Sequence, residues 1–243
     1  MKWKQIATAL LTLVAVATPN SLNATKFLKL KVIDKDYLMV HFRDGEVHYR
    51  DNGTGPSAYL GHSFSEGDDT LVVFRPKLET TEAGKPSAWI ISSTDDKTFG
   101  SQPATAAWRK SKPMNTDNTL TSELDHWIFL KLPQSMKQGC SYTVQIPSTI
   151  GSDTVKFDIW TSQSEAIHVN ILGYTPQERI KAADLYLWLG DGGQRDYSSF
   201  EGKNVYLYNV TTGRKNKVGN VKFWMSASEY EKEANKKTCE TRY

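Results

Sequence analysis

The chain has 243 residues, of which 39% are hydrophobic, 23% charged and 11% aromatic, a make-up that excludes a fibrous or intrinsically disordered protein. The net charge is only +3, and two of those positives, Lys2 and Lys4, fall in a segment read below as removable. Charge therefore gives no reason to expect a nucleic acid or an anionic membrane as partner.

The chain opens on "MKWKQIATALLTLVAVA", a basic start followed by an apolar run from Ile6 to Ala17 that ends in the small-x-small pattern Ala15-Val-Ala17. Residues 1–24 read as a secretory signal peptide, with cleavage after Ala17 or, as second choice, after Ala24. The run is about twelve residues, where a membrane-spanning helix needs roughly twenty. The expectation is a secreted, periplasmic or cell-surface protein with no membrane span after cleavage. No Cys follows the run, so a lipid anchor at a lipobox cysteine is not expected. Cys140 and Cys239 are the only cysteines. They could pair in an oxidising compartment, but Cys140 follows a Gly at a strand entry and Cys239 lies in a polar tail, which favours unpaired thiols. No C-x-x-C spacing exists, and no cofactor is implied.

Beyond the leader the pattern is β. Short apolar or alternating runs occur at 28–33, 37–42, 46–50, 70–74, 87–92, 127–132, 141–146 and 154–160, separated by Gly, Pro, Asn, Asp and Ser clusters. No helical stretch interrupts them, which predicts an all-β fold with a sandwich over residues 25–160. In "YLMVHFRDGEVHYR", Asp44-Gly45 is the signature of a two-residue hairpin turn. That turn would pair His41 with His48 and put Leu38, Val40, Phe42, Val47 and Tyr49 on the core face, leaving Met39, His41, Arg43, Glu46, His48 and Arg50 on the other. A polar stretch from Ser92 to His126 is long for a connection, and Trp108 and Arg109 suggest a short edge strand inside it.

Four small polar residues, Thr161 to Ser164, mark a boundary, and a second unit is expected over 165–243. In "AIHVNILGYTP", Ile167, Val169 and Ile171 alternate with His168 and Asn170, the pattern of a half-buried strand. Gly173 and Pro176 then end it in a turn. "KAADLYLWL" reads as a buried strand, and "NVYLYNVTTGR" and "NVKFW" supply two more. The tail from Ser226 is polar and highly charged. About four strands are visible where an immunoglobulin-like sandwich uses around seven, so the second unit reads as incomplete.

The residues Ile167, Val169, Asn170, Gly173, Tyr174, Pro176, Lys181 and Ala183 fit the pattern I-x-V-N-x-x-G-Y-x-P followed by K-x-A. This resembles the opening of the immunoglobulin-like N-terminal domain of glycoside hydrolase family 9, the cellulase-type enzymes, over about residues 165–225. Ile171 departs from the family, which commonly has Gln there. The resemblance implies two tandem immunoglobulin-like β-sandwich domains, the second truncated, serving as non-catalytic modules beside an (α/α) barrel that hydrolyses β-glucan linkages. Inverting hydrolysis needs two separated carboxylates. The family's Asp-Ala-Gly-Asp motif does not occur in this sequence, so no catalytic residue carries over. Residues 25–160 resemble no known family.

Other chemistry is weaker. His41 and His48, directly cross-strand in the expected hairpin, could with Glu46 begin a metal site, against the simpler reading of a solvated polar face. "EGDD" at 66–69 and "RDNGTG" at 50–55 read as turns rather than calcium loops. Gly190-Asp-Gly-Gly193 lacks the Lys-Ser/Thr ending of a phosphate cradle and reads as a loop. No Gly-x-Ser-x-Gly elbow marks a serine nucleophile. Among the aromatics, Trp89, Trp127, Trp160 and Trp188 are assigned to cores, whereas Trp108 and Tyr59 lie in polar surroundings and are the candidates to stack on sugar rings. The expectation is thus the exported front of a polysaccharide-degrading enzyme, partnered by polysaccharide or a downstream barrel. The alternative is a stand-alone glycan-binding or adhesion protein.

Overall fold

The computed structural model describes residues 25–50, 70–73, 77–117, 121–147 and 151–226. Residues 1–24, read above as a leader, Tyr59, Cys239 and the charged tail after Ser226 lie outside them. Among the described residues, nine strands between Lys26 and Lys156 build two antiparallel sheets. The first sheet holds β1 (Lys26–Asp34), β2 (Tyr37–Arg50), β3 (Thr70–Val73), β6 (Ala106–Met114) and β7 (Thr121–Lys131), in the order β1-β2-β7-β6 with β3 also on β2. The second holds β4 (Ile90–Ser92), β5 (Ser101–Pro103), β8 (Ser141–Ile146) and β9 (Gly151–Lys156), in the order β5-β4-β8-β9. Their facing side chains, Leu38, Val40, Phe42, Ile128 and Leu130 against Trp89, Ile91, Tyr142, Val144 and Ile146, form one core. Alternate side chains of each strand enter it, as the two-residue period of a strand requires. The protein is all-β, and the expected sandwich is present. Among the described residues no helix is long and apolar enough to cross a membrane.

The Asp44-Gly45 hairpin does not form. Tyr37 to Arg50 is one strand of 14 residues that passes straight through Asp44-Gly45. The ladder to β7 shows an irregularity between Asp44 and Val47, and β3 takes up the far end of the strand, pairing Val47 with Val73 through Arg50 with Thr70. Long-range partners on both sides outweigh the local turn preference, and the misfit is absorbed as a bulge. Consequently His41 lies opposite Trp127 and Lys29, while His48 lies opposite Val72 and Thr121. The two histidines are seven residues apart on one strand, not side by side.

The other face of the first sheet is also covered. Ile33, Tyr37, Met39 and Phe129 pack against Ala166, Leu187, Leu189 and Tyr197, with Trp108 at the margin. Met39, expected on a polar face, is fully buried. The segment after the boundary is therefore fastened to the sandwich. Ser164 Oγ donates to the Ile33 carbonyl at 2.5 Å, and Lys31 pairs with Glu165 at 2.9 Å. Arg195 reaches Asp34 at 3.2 Å, with its guanidinium 4.3 Å from the Tyr37 ring centre and 5.0 Å from that of Tyr197. Burial lifts the Tyr197 hydroxyl and the Asp34 carboxyl above their ordinary ranges. Strands in this segment form two separate ribbons, β10 (Ile167–Val169) with β11 (Ala183–Leu185), and β12 (Asn204–Tyr208) with β13 (Lys215–Asn220). The expected strand over "NVKFW" ends at its first residue, Asn220. In "LYLWL", Leu187 and Leu189 point into the layer, but Trp188 is 40% exposed rather than core.

The Gly190-Asp-Gly-Gly193 loop clamps the edge strand. Its Asp191 Oδ1 accepts the outward N–H of Arg109 at 2.7 Å, which closes one of the unpaired donors that an edge strand presents. The glycines allow the close approach: a Cβ on Gly192 would lie 2.4 Å from the Trp108 ring, and one on Gly190 would lie 2.1 Å from the Arg109 carbonyl oxygen. Gly190 also has φ +77°, whereas Gly193, at φ +71°, has nothing within 4 Å. Farther along β6, Lys110, Lys112 and Pro113 guard the same edge.

Gly193→Ala is expected to cost about 1–3 kcal/mol through its backbone conformation alone, since φ +71° with ψ −150° is a region that essentially only glycine adopts. Gly190→Ala must also displace a strand, adding about 1–3 kcal/mol by the usual cost of overpacking. Thermal melts of the two variants would check this, and equal losses would show that the clamp contributes nothing. Residues 165–243 expressed alone, without the sheet that buries Leu187, Leu189 and Tyr197, should melt without a cooperative transition; a sharp monomeric melt would contradict that expectation.

Candidate functional site

Midway along the first sheet, β2 and β7 exchange two histidine–aspartate pairs through opposite faces. Opposed residues share a face in an antiparallel ladder. Arg43 faces Asp125 and His41 faces Trp127 on one side; Phe42 faces His126, and His126 faces Ser111 of β6, on the other. Asp125 and His126 are sequence neighbours, so they point to opposite sides.

The first network is closed. His41 Nε2 meets Asp125 Oδ2 at 2.8 Å, and its ring stacks on Trp127 with centres 4.8 Å apart. Arg43 grips the same carboxylate with two bonds, Nε to Oδ1 at 2.5 Å and Nη2 to Oδ2 at 2.9 Å, and its Nη1 lies 2.9 Å from Glu123. Such a two-pronged grip fixes orientation as well as charge. Burial pushes the His41 imidazole below its ordinary range despite Asp125. Burial also pushes the Asp125 carboxyl up, but the bonds from Arg43 and His41 outweigh it and hold the group below 3.8. His41 is thus a neutral ring that donates Nε2–H to Asp125, and its buried Nδ1 finds no partner among the described residues.

The second network is open. His126 Nε2 meets Asp44 Oδ2 at 2.9 Å, and its Nδ1 meets Ser111 Oγ at 2.7 Å. Arg109 Nη1 donates to the same Oγ at 2.6 Å. His126 and Asp44 are buried, at 2% and 1% exposure, while Ser111 is exposed on the edge strand. Serine, imidazole and carboxylate therefore stand in line, from solvent into the sandwich. The sequence offered one local signal, the adjacent pair Asp125-His126 in the polar first half of β7, but the partners come from strands far away in sequence.

The residues expected to act fare differently. His41 joins the closed network, and His48 is in another row of the sheet. Among the described residues no group of three or more His, Cys, Asp or Glu is placed to hold a metal ion. Trp108, expected to be exposed, stacks on Tyr37 with ring centres 6.2 Å apart and lies under Gly192, because the clamp loop covers it. Trp160 packs against Tyr206 and Tyr208, with Lys215 Nζ 4.1 Å from its ring centre.

The motif of the second unit builds a self-contained turn. Asn170 Oδ1 accepts the Leu172 N–H at 3.0 Å, Gly173 sits at φ +79°, and the Tyr174 hydroxyl donates to the Ala182 carbonyl. Lys181 Nζ donates to the Glu178 carbonyl at 2.7 Å. Val169 and Pro176 are exposed, as are Ile167 and Ile171. The alternation of β10 is as expected but its sense is reversed: the apolar face looks outward, while His168 stacks on Tyr186 with ring centres 3.8 Å apart. The short ribbon pairs only with β11, and no second layer among the described residues covers that face.

Compared with protein-family models, curated proteins and solved structures, the chain finds no match.

Acid should loosen the closed network in two steps. Below pH 6.5 the unfolded chain protonates His41 more readily than the native chain does, so stability falls as pH drops. Below 3.8 the same holds for Asp125, because its native form stays ionised longer, and stability falls further. Urea midpoints across this range would record both steps, and His41→Gln should remove the first. Asp125→Asn leaves Arg43 and His41 without their acceptor and should cost about 3 kcal/mol at neutral pH, read as a lower urea midpoint.

Proposed function

We propose that this chain is the exported front of a polysaccharide-degrading glycoside hydrolase of the family-9 type. In this reading it holds a catalytic (α/α) barrel encoded outside these 243 residues and cleaves no glycosidic bond itself. The leader supports export, and the residues from Ile167 to Ala183 support the family. One observation carries the reading: the segment with the family pattern turns its apolar side chains outward. Ile171 is 96% exposed, Leu172 92% and Ile180 77%, and Ile167 and Val169 lie on the strand before them. Exposed apolar groups gathered in one segment favour a docking surface, and a barrel is the partner that the pattern implies. Residues 25–160 then act as the rigid base that positions the motif, since their first sheet anchors the layer behind it.

A stand-alone glycan-capturing protein is the second reading. It draws on Trp224, which is 68% exposed, because a flat apolar ring can stack on the C–H face of a sugar.

Sequencing the coding region past Tyr243, together with the intact mass of the native product, separates the two. A frame that continues into a helical domain with an Asp-Ala-Gly-Asp motif is the expected result. A stop codon, with a monomeric native product of this length, would overturn the first reading. Within the full enzyme, Leu172→Glu should lower the melting temperature of the barrel. The isolated front should change by no more than about 0.5 kcal/mol, as surface substitutions usually do.

A further inference from the structure

We propose that Ser111, His126 and Asp44 form an acyl-transfer site in which Ser111 is a nucleophile toward short-chain carboxylic esters. The site is independent of the glycosidase reading and uses none of its residues.

Three adjacent strands each supply one member, β6, β7 and β2, and the register Phe42–His126–Ser111 fixes their relative height. Asp44 accepts at Nε2, so that nitrogen carries the proton and Nδ1 presents its lone pair to the Ser111 hydroxyl. The ring is reversed relative to the commonest serine triads, where Nε2 faces the nucleophile. Roles depend on geometry, and either imidazole nitrogen can take a proton held 2.7 Å away. Arg109 adds a cation at 2.6 Å from Oγ, placed to stabilise an alkoxide as it forms and the oxyanion that follows.

A buried histidine–aspartate pair can be purely structural, and the other network shows what that looks like. There the carboxylate is saturated by a bidentate arginine, the ring lies flat on Trp127, and its second nitrogen faces no hydroxyl. Here the carboxylate serves His126, with Oδ1 buried and unpartnered among the described residues, and the far nitrogen ends on an exposed hydroxyl flanked by a guanidinium. The pattern is nucleophile, base and orienting acid, running from solvent inward.

The chemistry balances with water alone. Ser111 Oγ bonds to the ester carbonyl carbon as its proton passes to His126 Nδ1, and the carbonyl electrons move onto oxygen beside Arg109. Collapse breaks the bond to the alkoxide, which leaves with the proton from Nδ1. A water then gives a proton to Nδ1 and attacks the acyl carbon, and Ser111 departs as it regains that proton. The products are a carboxylic acid and an alcohol. An exposed edge strand suits a short acyl group on a larger alcohol.

The test treats the native chain with a fluorophosphonate probe and with 4-nitrophenyl acetate. One adduct per chain on the peptide containing Ser111, and a burst of nitrophenol, are expected. Ser111→Ala should abolish both while the chain still melts cooperatively, with its melting temperature lowered only by the loss of the hydrogen bond to His126. His126→Asn should slow labelling about a hundredfold or more. Asp44 acts through His126, so Asp44→Asn should lower the maximal labelling rate while leaving the probe concentration for half-saturation unchanged. A native chain that takes no adduct, an adduct on another residue, or undiminished labelling of His126→Asn would overturn the proposal. Peptide mapping of the native adduct decides the matter even if a variant fails to fold.

Discussion

Everything in this fold depends on a sheet that must be covered twice. Along β2, Leu38, Val40 and Phe42 point to one side and Tyr37, Met39 and His41 to the other, and all six are buried. A strand apolar on both faces is stable only between two layers, because the hydrophobic gain is realised on each face separately. The second sheet supplies one layer and the segment from Ala166 to Tyr197 the other. That segment contributes no strand to the first sheet, so its attachment rests on side-chain burial, on Arg195 between two tyrosines, and on the Gly-rich clamp over β6. Ion pairs at its margin, such as Lys31 with Glu165, are still partly exposed, at 28% and 36%, and add little by comparison.

The same double cover explains the two networks midway along the sheet. Asp44, Asp125 and His126 are nearly inaccessible, and a buried charge or imidazole is tolerated only when it is paired. Adjacent residues of β7 face opposite ways, so each needs a partner of its own, and β2 provides both, Arg43 with His41 on one side and Asp44 on the other. The register that buries Leu38, Val40 and Phe42 is thus the register that pairs these groups. A one-residue slip would break both together, which makes these polar pairs a lock on the strand alignment.

What the sequence reveals follows from how local each determinant is. Alternation within a strand is local, so the inward set Leu38, Val40 and Phe42, the edge strand at Trp108, and the inward Leu187 and Leu189 can all be read from the residues themselves. Cover is not local. Met39 and Trp108 read as exposed because nothing nearby in sequence hides them; the layer that does begins at Ala166. Asp44-Gly45 reads as a turn for the same reason, since its preference is intrinsic whereas β3 and β7 are recruited from elsewhere. The Ser111–His126–Asp44 line is the extreme case, because its members lie on three strands and no fixed spacing joins them. The outward face of Ile167, Val169 and Ile171 shows the converse: a pattern that announces burial, with no layer among the described residues to provide it.

That converse bears on the proposed docking role. The segment from Ala166 to Tyr197 is amphipathic in a double sense, committing Leu187, Leu189 and Tyr197 to the sandwich while Ile171, Leu172 and Ile180 remain outside. In the proposed reading, a barrel docked on these exposed side chains would be positioned relative to the sheet through Leu187, Leu189 and Tyr197 behind them. The Asn170–Tyr174 turn reinforces this, since its hydrogen bonds close within the segment and keep the apolar side chains on display without help from a partner. In that reading, a turn already closed by its own hydrogen bonds would give up less conformational entropy on docking than an open loop.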